Sequence, residues 1–244
     1  MKNYQKTLVL LACAVLLVVG SVFGTFAYLT DTEAVTNTFT VGRVGLNLDE
    51  ADVKLDGTYE TNHNSRVKAN AYHLLPGHTY QKDPTVTVDA GSEESYVRMK
   101  VTFSFSSQLD AIFDEEGADL TEIFNGYDEN NWAFHSVVED TDANTRTYEF
   151  RYVGVANKGT KEGTVRKIAE TEDPVVLDDL FESFTVPGFL TNDQLATLVI
   201  KDNNGKITDQ FKITVVAHAI QADGFDTADK AWTAFDAQHN TTND

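Results

Sequence analysis

Apolar and polar residues alternate along much of this chain. In YVRMKVTFSFS, Val97, Met99, Val101, Phe103 and Phe105 take turns with Arg98, Lys100, Thr102, Ser104 and Ser106. A period of two is that of a strand with one face in a core and the other in solvent. TYEFRYV repeats the pattern with Tyr148, Phe150 and Tyr152 on one side. FKITVVAHA repeats it with Phe211, Ile213, Val215, Ala217 and Ala219 against Lys212, Thr214, Val216 and His218. FTVGRVGLNL and PTVTVDAG are shorter strand candidates, with Pro84 at a strand start where no amide donor is needed. In LVIKDNNGKI, Asn204-Gly205 lies between apolar runs and predicts a tight hairpin with both residues at positive φ.

Two stretches change period. QLDAIFDEEGADLTEIFNG spaces Leu109, Ile112 and Phe113, then Leu120, Ile123 and Phe124, at three and four residues, with Gly117 between them and Gly126 at the end. This predicts two short amphipathic helices inserted between strands. DTADKAWTAFDAQ predicts a closing helix, capped by Asp226 or Thr227, that lays Ala228, Ala231, Trp232 and Phe235 on the sheet. Strands with one apolar face need a second layer to cover it. The expected fold is therefore all-β: a jelly-roll-like β-sandwich with short helical insertions and a C-terminal helix.

The N-terminus is of another kind. Lys2 and Lys6 precede TLVLLACAVLLVV, and Gly20, Ser21 and Gly24 loosen its end before Thr25-Phe26-Ala27. This is a signal-peptide layout, with Thr25 and Ala27 as the small residues of a cleavage site and Tyr28 as the new N-terminus. An uncleaved anchor is the alternative, since Leu8 to Phe26 has about the 20 apolar residues that a bilayer requires. Either way the remainder is expected outside the cell. The LLAC motif at Cys13 lies inside the apolar run rather than at its end, which argues against lipidation. Cys13 is also the single cysteine, so the mature chain has no disulfide and depends on its core.

Removing 27 residues from 244 leaves 217, enough for one large β domain. The leader holds two of the 19 basic residues and none of the 38 acidic ones, which puts the mature chain at −21. Such a surface repels nucleic acid and anionic lipid, and no Lys/Arg cluster offers a phosphate track. Histidines stand at 63, 73, 78, 135, 218 and 239, without a His-Glu-x-x-His pair. His73 and His78, in HLLPGH, read as two loop histidines. DNNGKITD lacks the ligand spacing of a calcium loop. There is no nucleophile elbow, P-loop or dinucleotide fingerprint. No catalytic residue, metal ligand or cofactor site is expected, and the chain reads as a non-enzyme.

Three blocks, GTFAYLTDTEAVTNTFTVGRVGLNL, LLPGHTYQKDPTVTVDAGSEESYVRMKVTF and FKITVVAHAIQADGF, resemble the TasA/camelysin family of secreted bacterial proteins, whose leaders are cut by a dedicated signal peptidase of the SipW type. The resemblance covers both ends of the chain, and the middle, about 107–202, matches little. It implies a jelly-roll subunit that polymerises head to tail into extracellular or biofilm matrix fibres. In such a fibre the processed N-terminal segment of one copy enters its neighbour as a donor strand, in company with other matrix proteins. It implies four parts here: a signal peptide over 1–27, a donor segment over 28–42, a jelly-roll-like domain over 43–237 and a flexible tail over 238–244. The expected donor anchors are Tyr28, Leu29, Ala34, Val35 and Phe39, on a segment with no proline to interrupt pairing. By composition alone the same segment reads as an ordinary first strand or a disordered leader. Camelysin-type relatives are described as cell-surface metalloproteases, a role with no motif position to occupy in this sequence. A monomeric adhesin or binding module on the same sandwich is the other alternative. In the fibre reading the mature protein is secreted, not membrane-bound, and pairs chiefly with itself.

Overall fold

The computed structural model describes residues 42–60, 65–160 and 162–240, and Gly42 onward forms one compact unit. In chain order the strands are β1 Leu46–Ala51, β2 Arg66–Val67, β3 Thr79–Gln81, β4 Thr85–Val88 and β5 Ser95–Ser104, followed by helix α1, Ser106–Glu116. Then come β6 Phe124–Asn125, β7 Trp132–Asp140, β8 Thr145–Tyr152, β9 Val175–Val176, β10 Ser183–Thr185 and helix α2, Asn192–Thr197. The chain ends with β11 Val199–Lys201, β12 Ile207–Gln210, β13 Ile213–Gln221 and helix α3, Ala228–Asn240.

The fold is all-β, with few helices and a helix at its C-terminal end. The longest strands make one antiparallel sheet in the order β13-β5-β8-β7. A second antiparallel sheet runs β2-β1-β4-β9, and a small third one runs β3-β10-β6. Val97, Met99, Val101 and Phe103 of β5 are buried in one core with Val86 and Val88 of β4, Tyr80 of β3 and Phe184 of β10. Alternation therefore predicts β5, β8 and β13 correctly, and their inner faces meet the other sheets as a sandwich requires.

Phe105, between β5 and α1, sits at φ 60°, a left-handed conformation rare for a bulky residue. Its ring is 4% exposed, and that burial, with the Leu109 N–H bonded to its carbonyl at 3.0 Å, holds the turn into α1. Gly117 closes α1 at φ 67°. The second expected helix is only a 3-10 turn, Leu120–Ile123, capped by Asp119. Phe124, assigned to that helix by its spacing, starts β6 and pairs with Phe184, because a strand partner far along the chain overrides the local period.

Two further expectations are corrected. FTVGRVGLNL is not a continuous strand over its described length: an isolated bridge joins Arg43 to Ser92, and the regular strand begins at Leu46 and runs on to Ala51, past the expected end. The Asn204-Gly205 hairpin is real but has a three-residue loop. Gly205 sits at φ 79° and Asn204 does not adopt positive φ. The Asp202 carboxylate accepts the N–H groups of both Asn204 and Lys206 at 2.9 Å, favouring a turn followed by a bulge over the two-residue form.

The outer face of the β13-β5-β8-β7 sheet is also covered. Arg98, expected in solvent, is 1% exposed, and Glu149 and Arg151 of β8 are buried as well. α3 lies over them, with Ala228, Ala231 and Trp232 buried as the sequence predicts, Thr227 Oγ accepting from the Lys230 N–H at 3.4 Å, and regular helix through Asn240.

Candidate functional site

The predicted cleavage pair, Ala27 and Tyr28, and the predicted donor residues Leu29, Ala34, Val35 and Phe39 lie outside the described residues, as do Cys13 and His63.

Two strands leave part of their backbone unpaired among the described residues. Among the described residues β13 is an edge strand, paired with β5 on one side. Hydrogen bonds from the Ser104 N–H to the Lys212 carbonyl, 3.1 Å, and from the Ala222 N–H to the Glu94 carbonyl, 2.8 Å, set the phase of the ladder. Even-numbered residues of β13 bond to β5, so the backbone N–H and C=O groups of Ile213, Val215, Ala217 and Ala219 point to the open side. On β1 the Asp89 N–H bonds to the Gly45 carbonyl at 2.9 Å, so odd residues face β4 and those of Leu46 and Leu48 face away from it. β2 pairs only with Glu50 and Ala51. Among the described residues, the outer edge of Leu46–Asp49 has no strand partner.

Between these edges lies a cleft of about 350 Å³, with Leu48, Asp49 and Glu50 on one wall and Ile213, Thr214 and Val215 on the other. Its apolar lining includes Tyr72, Leu74, Phe184 and Phe211, and Leu48, Phe211, Ile213 and Val215 pack on the core. Tyr72 meets Phe184 edge-on with centroids 5.3 Å apart, and burial pushes its phenol well above the usual tyrosine range.

The rim is polar. Arg66 bridges Asp49 at 2.8 Å and Asp83 at 2.6 Å. Lys68 donates to the Leu48 carbonyl at 2.7 Å and to Asn47, an exposed lysine over an edge-strand carbonyl, as sheet edges commonly carry. Deeper in the wall, Lys82 and Glu50 form an ion pair with side chains 7% and 8% exposed. Asn70 donates to the other Glu50 oxygen at 3.0 Å.

A second polar cluster lies under α3. Arg98 bonds Glu149 at 3.3 Å, Asp236 at 3.1 Å and His218 Nδ1 at 3.2 Å. Arg151 bonds Glu149 at 2.9 Å and His135 Nε2 at 2.9 Å, and also pairs with Asp229. Burial first, then the charges of Arg98 and Lys100, hold His218 down to about 4. This cluster has the layout of a structural fastening: cations from the sheet meet carboxylates from the helix.

His73 and His78 are exposed in the loop before β3, and Tyr80 donates to the His73 carbonyl at 2.6 Å. No group of three His, Cys, Asp or Glu side chains among the described residues could hold a metal ion. The sequence could not foretell the cleft, whose walls come from residues 48–50, 68–74 and 210–215. No protein-family model, curated protein or solved structure matches this chain.

Proposed function

We propose that this protein is a secreted structural subunit of the TasA/camelysin kind, which polymerises into extracellular matrix fibres. The processed N-terminal segment of one copy, beginning at Tyr28, enters the cleft of the next as a donor strand. The observation that supports this is the two open edges, Leu46–Asp49 and Ile213–Ala219, which meet at one apolar-floored cleft lined by Leu48 and Asp49 on one side and Ile213–Val215 on the other. A strand laid along one of these edges gains main-chain hydrogen bonds from it and buries alternate side chains on the floor. Insertion into a neighbour is a head-to-tail contact that does not close on itself, so it yields open filaments. Cleavage after Ala27 by a signal peptidase of the SipW type frees the end of the donor, which joins export to assembly. The subunit would be jelly-roll-like and act without catalysis.

The test is electron microscopy and sedimentation of the chain beginning at Tyr28 beside one beginning at Gly42, with the N-terminus of the native material read by mass spectrometry. Fibres are expected from the longer form alone. Equal behaviour of the two forms, or native material that begins upstream of Tyr28, would overturn the reading.

A further inference from the structure

The wall of the cleft holds a constellation that assembly does not use. Lys82 and Glu50 are 7% and 6% exposed. Glu50 holds the Lys82 amine on Oε2 and the Asn70 amide nitrogen on Oε1, the latter at 3.0 Å. One carboxylate therefore carries a primary amine on one oxygen and a carboxamide on the other. The Asn70 carbonyl oxygen accepts the Val53 backbone N–H at 3.1 Å, and its Nδ2 also donates to the Ala51 carbonyl at 2.8 Å. The carboxamide is thus fixed in orientation, and its oxygen lies against a donor of the type that stabilises an oxyanion.

We propose that Lys82 and Asn70 become joined through their side chains by an amide bond that the protein forms itself, with Glu50 as the catalytic acid and base. Glu50 takes a proton from the Lys82 ammonium, and the freed lone pair on Nζ adds to Cγ of Asn70. Negative charge gathers on Oδ1, against the Val53 N–H. Glu50 returns its proton to Nδ2, the Cγ–Nδ2 bond breaks and the nitrogen departs as ammonia. The proton left on the new Cγ–Nζ linkage passes out with the ammonia as ammonium, and Glu50 ends as the carboxylate it began as. Nothing is oxidised or reduced, and no co-reactant is needed. The product clasps the two ends of the 70–82 segment beside β1, where the cleft wall is built. It does not depend on fibre formation and can be tested on the single subunit.

The experiment is mass spectrometry of the purified full chain, intact and after denaturation and trypsin digestion. The cross-linked protein weighs one ammonia less than its sequence. Trypsin no longer cuts after Lys82, so a peptide from Ala69 to Arg98 appears, also one ammonia lighter. Glu50→Gln and Asn70→Ala should regain full mass and cleavage after Lys82, with circular dichroism confirming that each folds. A parent at full mass and cut after Lys82 overturns the proposal. So does a parent one ammonia lighter yet still cut there, which indicates ring closure of Asn70 on its own backbone, and a cross-link that persists in Glu50→Gln removes the role given to that residue.

Discussion

The guanidinium carbon of Arg98 sits 4.3 Å from the centroid of the Trp232 ring, while Nη1 of the same group donates to Asp236 at 3.1 Å. A single residue of β5 thus holds α3 by an aromatic face and a carboxylate one turn apart, and Phe235 adds a second ring at 5.2 Å. Arg98→Ala should destabilise the domain by about 3–5 kcal/mol, since it leaves Glu149 short of a partner in a buried place. Asp236→Asn should cost about 1 kcal/mol or less, because that carboxylate is 43% exposed and screened by water. Urea denaturation of the two variants gives the comparison.

Acid should loosen the same fastening. The groups facing His218 are Arg98, Lys100, Asp236 and His239; burial first, then the charges of Arg98, Lys100 and His239, depress it from 6.5 to about 4 against the opposing pull of the Asp236 carboxylate. The unfolded chain binds the proton more readily, so stability is full above 6.5 and falls as pH drops from there towards 4. Asp236, held low first by its hydrogen bond to Arg98, loses its contribution in the same direction as pH falls through its depressed value. The denaturation midpoint should decline between pH 7 and 4.5, and His218→Gln should flatten that decline.

Ala217 offers a clean probe of the open edge. Its N–H points away from β5, opposite a Met99 partner with which it shares no ladder bond. Proline there removes an outward donor without breaking the sheet. Ala217→Pro should abolish fibres while the subunit keeps its melting temperature within a few degrees, and Phe39→Asp on the donor side should do the same by placing a charge against an apolar floor. Fibres from either variant, seen by microscopy, would remove that residue from the contact.

Net charge should govern how fast subunits meet. At −21 for the chain from Tyr28, like-charged copies repel over a Debye length of about 8 Å at physiological salt. Turbidity or light scattering should show faster assembly as salt rises or pH falls, and indifference to both would rule out charge as the barrier.

Two glycines at similar φ separate backbone strain from crowding. Gly205, at φ 79°, has nothing within 4 Å of an added Cβ, so Gly205→Ala should cost about 1 kcal/mol. Gly57, at φ 78°, would put the same atom 2.7 Å from the Tyr80 Cα. Gly57→Ala adds a backbone clash to the same strain and should cost several-fold more in thermal unfolding, with Tyr80 shifted in the core.

The sequence reveals elements whose burial follows a simple period. β5, β8 and β13 can be read from alternation, and α3 from the spacing of Ala228, Ala231 and Trp232. Arg98, Glu149 and Arg151 resist that method, because the helix that covers them arrives many residues later and a charged face under a helix looks like a charged face under water. β2, β6 and β9 have two residues each, too few to show any period. The cleft is harder still: its floor mixes aromatic side chains from a loop, a short strand and the link between β12 and β13. Glu50, Asn70 and Lys82 carry no spacing motif, and only the packing of β1 against the 68–82 region brings them together.

The chain has two tryptophans, and the sheet divides them. Trp132 lies within the central core, 0% exposed, and Trp232 lies under α3, 2% exposed. Each can serve as a native optical probe for its own compartment. Replacing either with phenylalanine leaves a single fluorophore, so peeling of the C-terminal helix can be timed apart from melting of the interior.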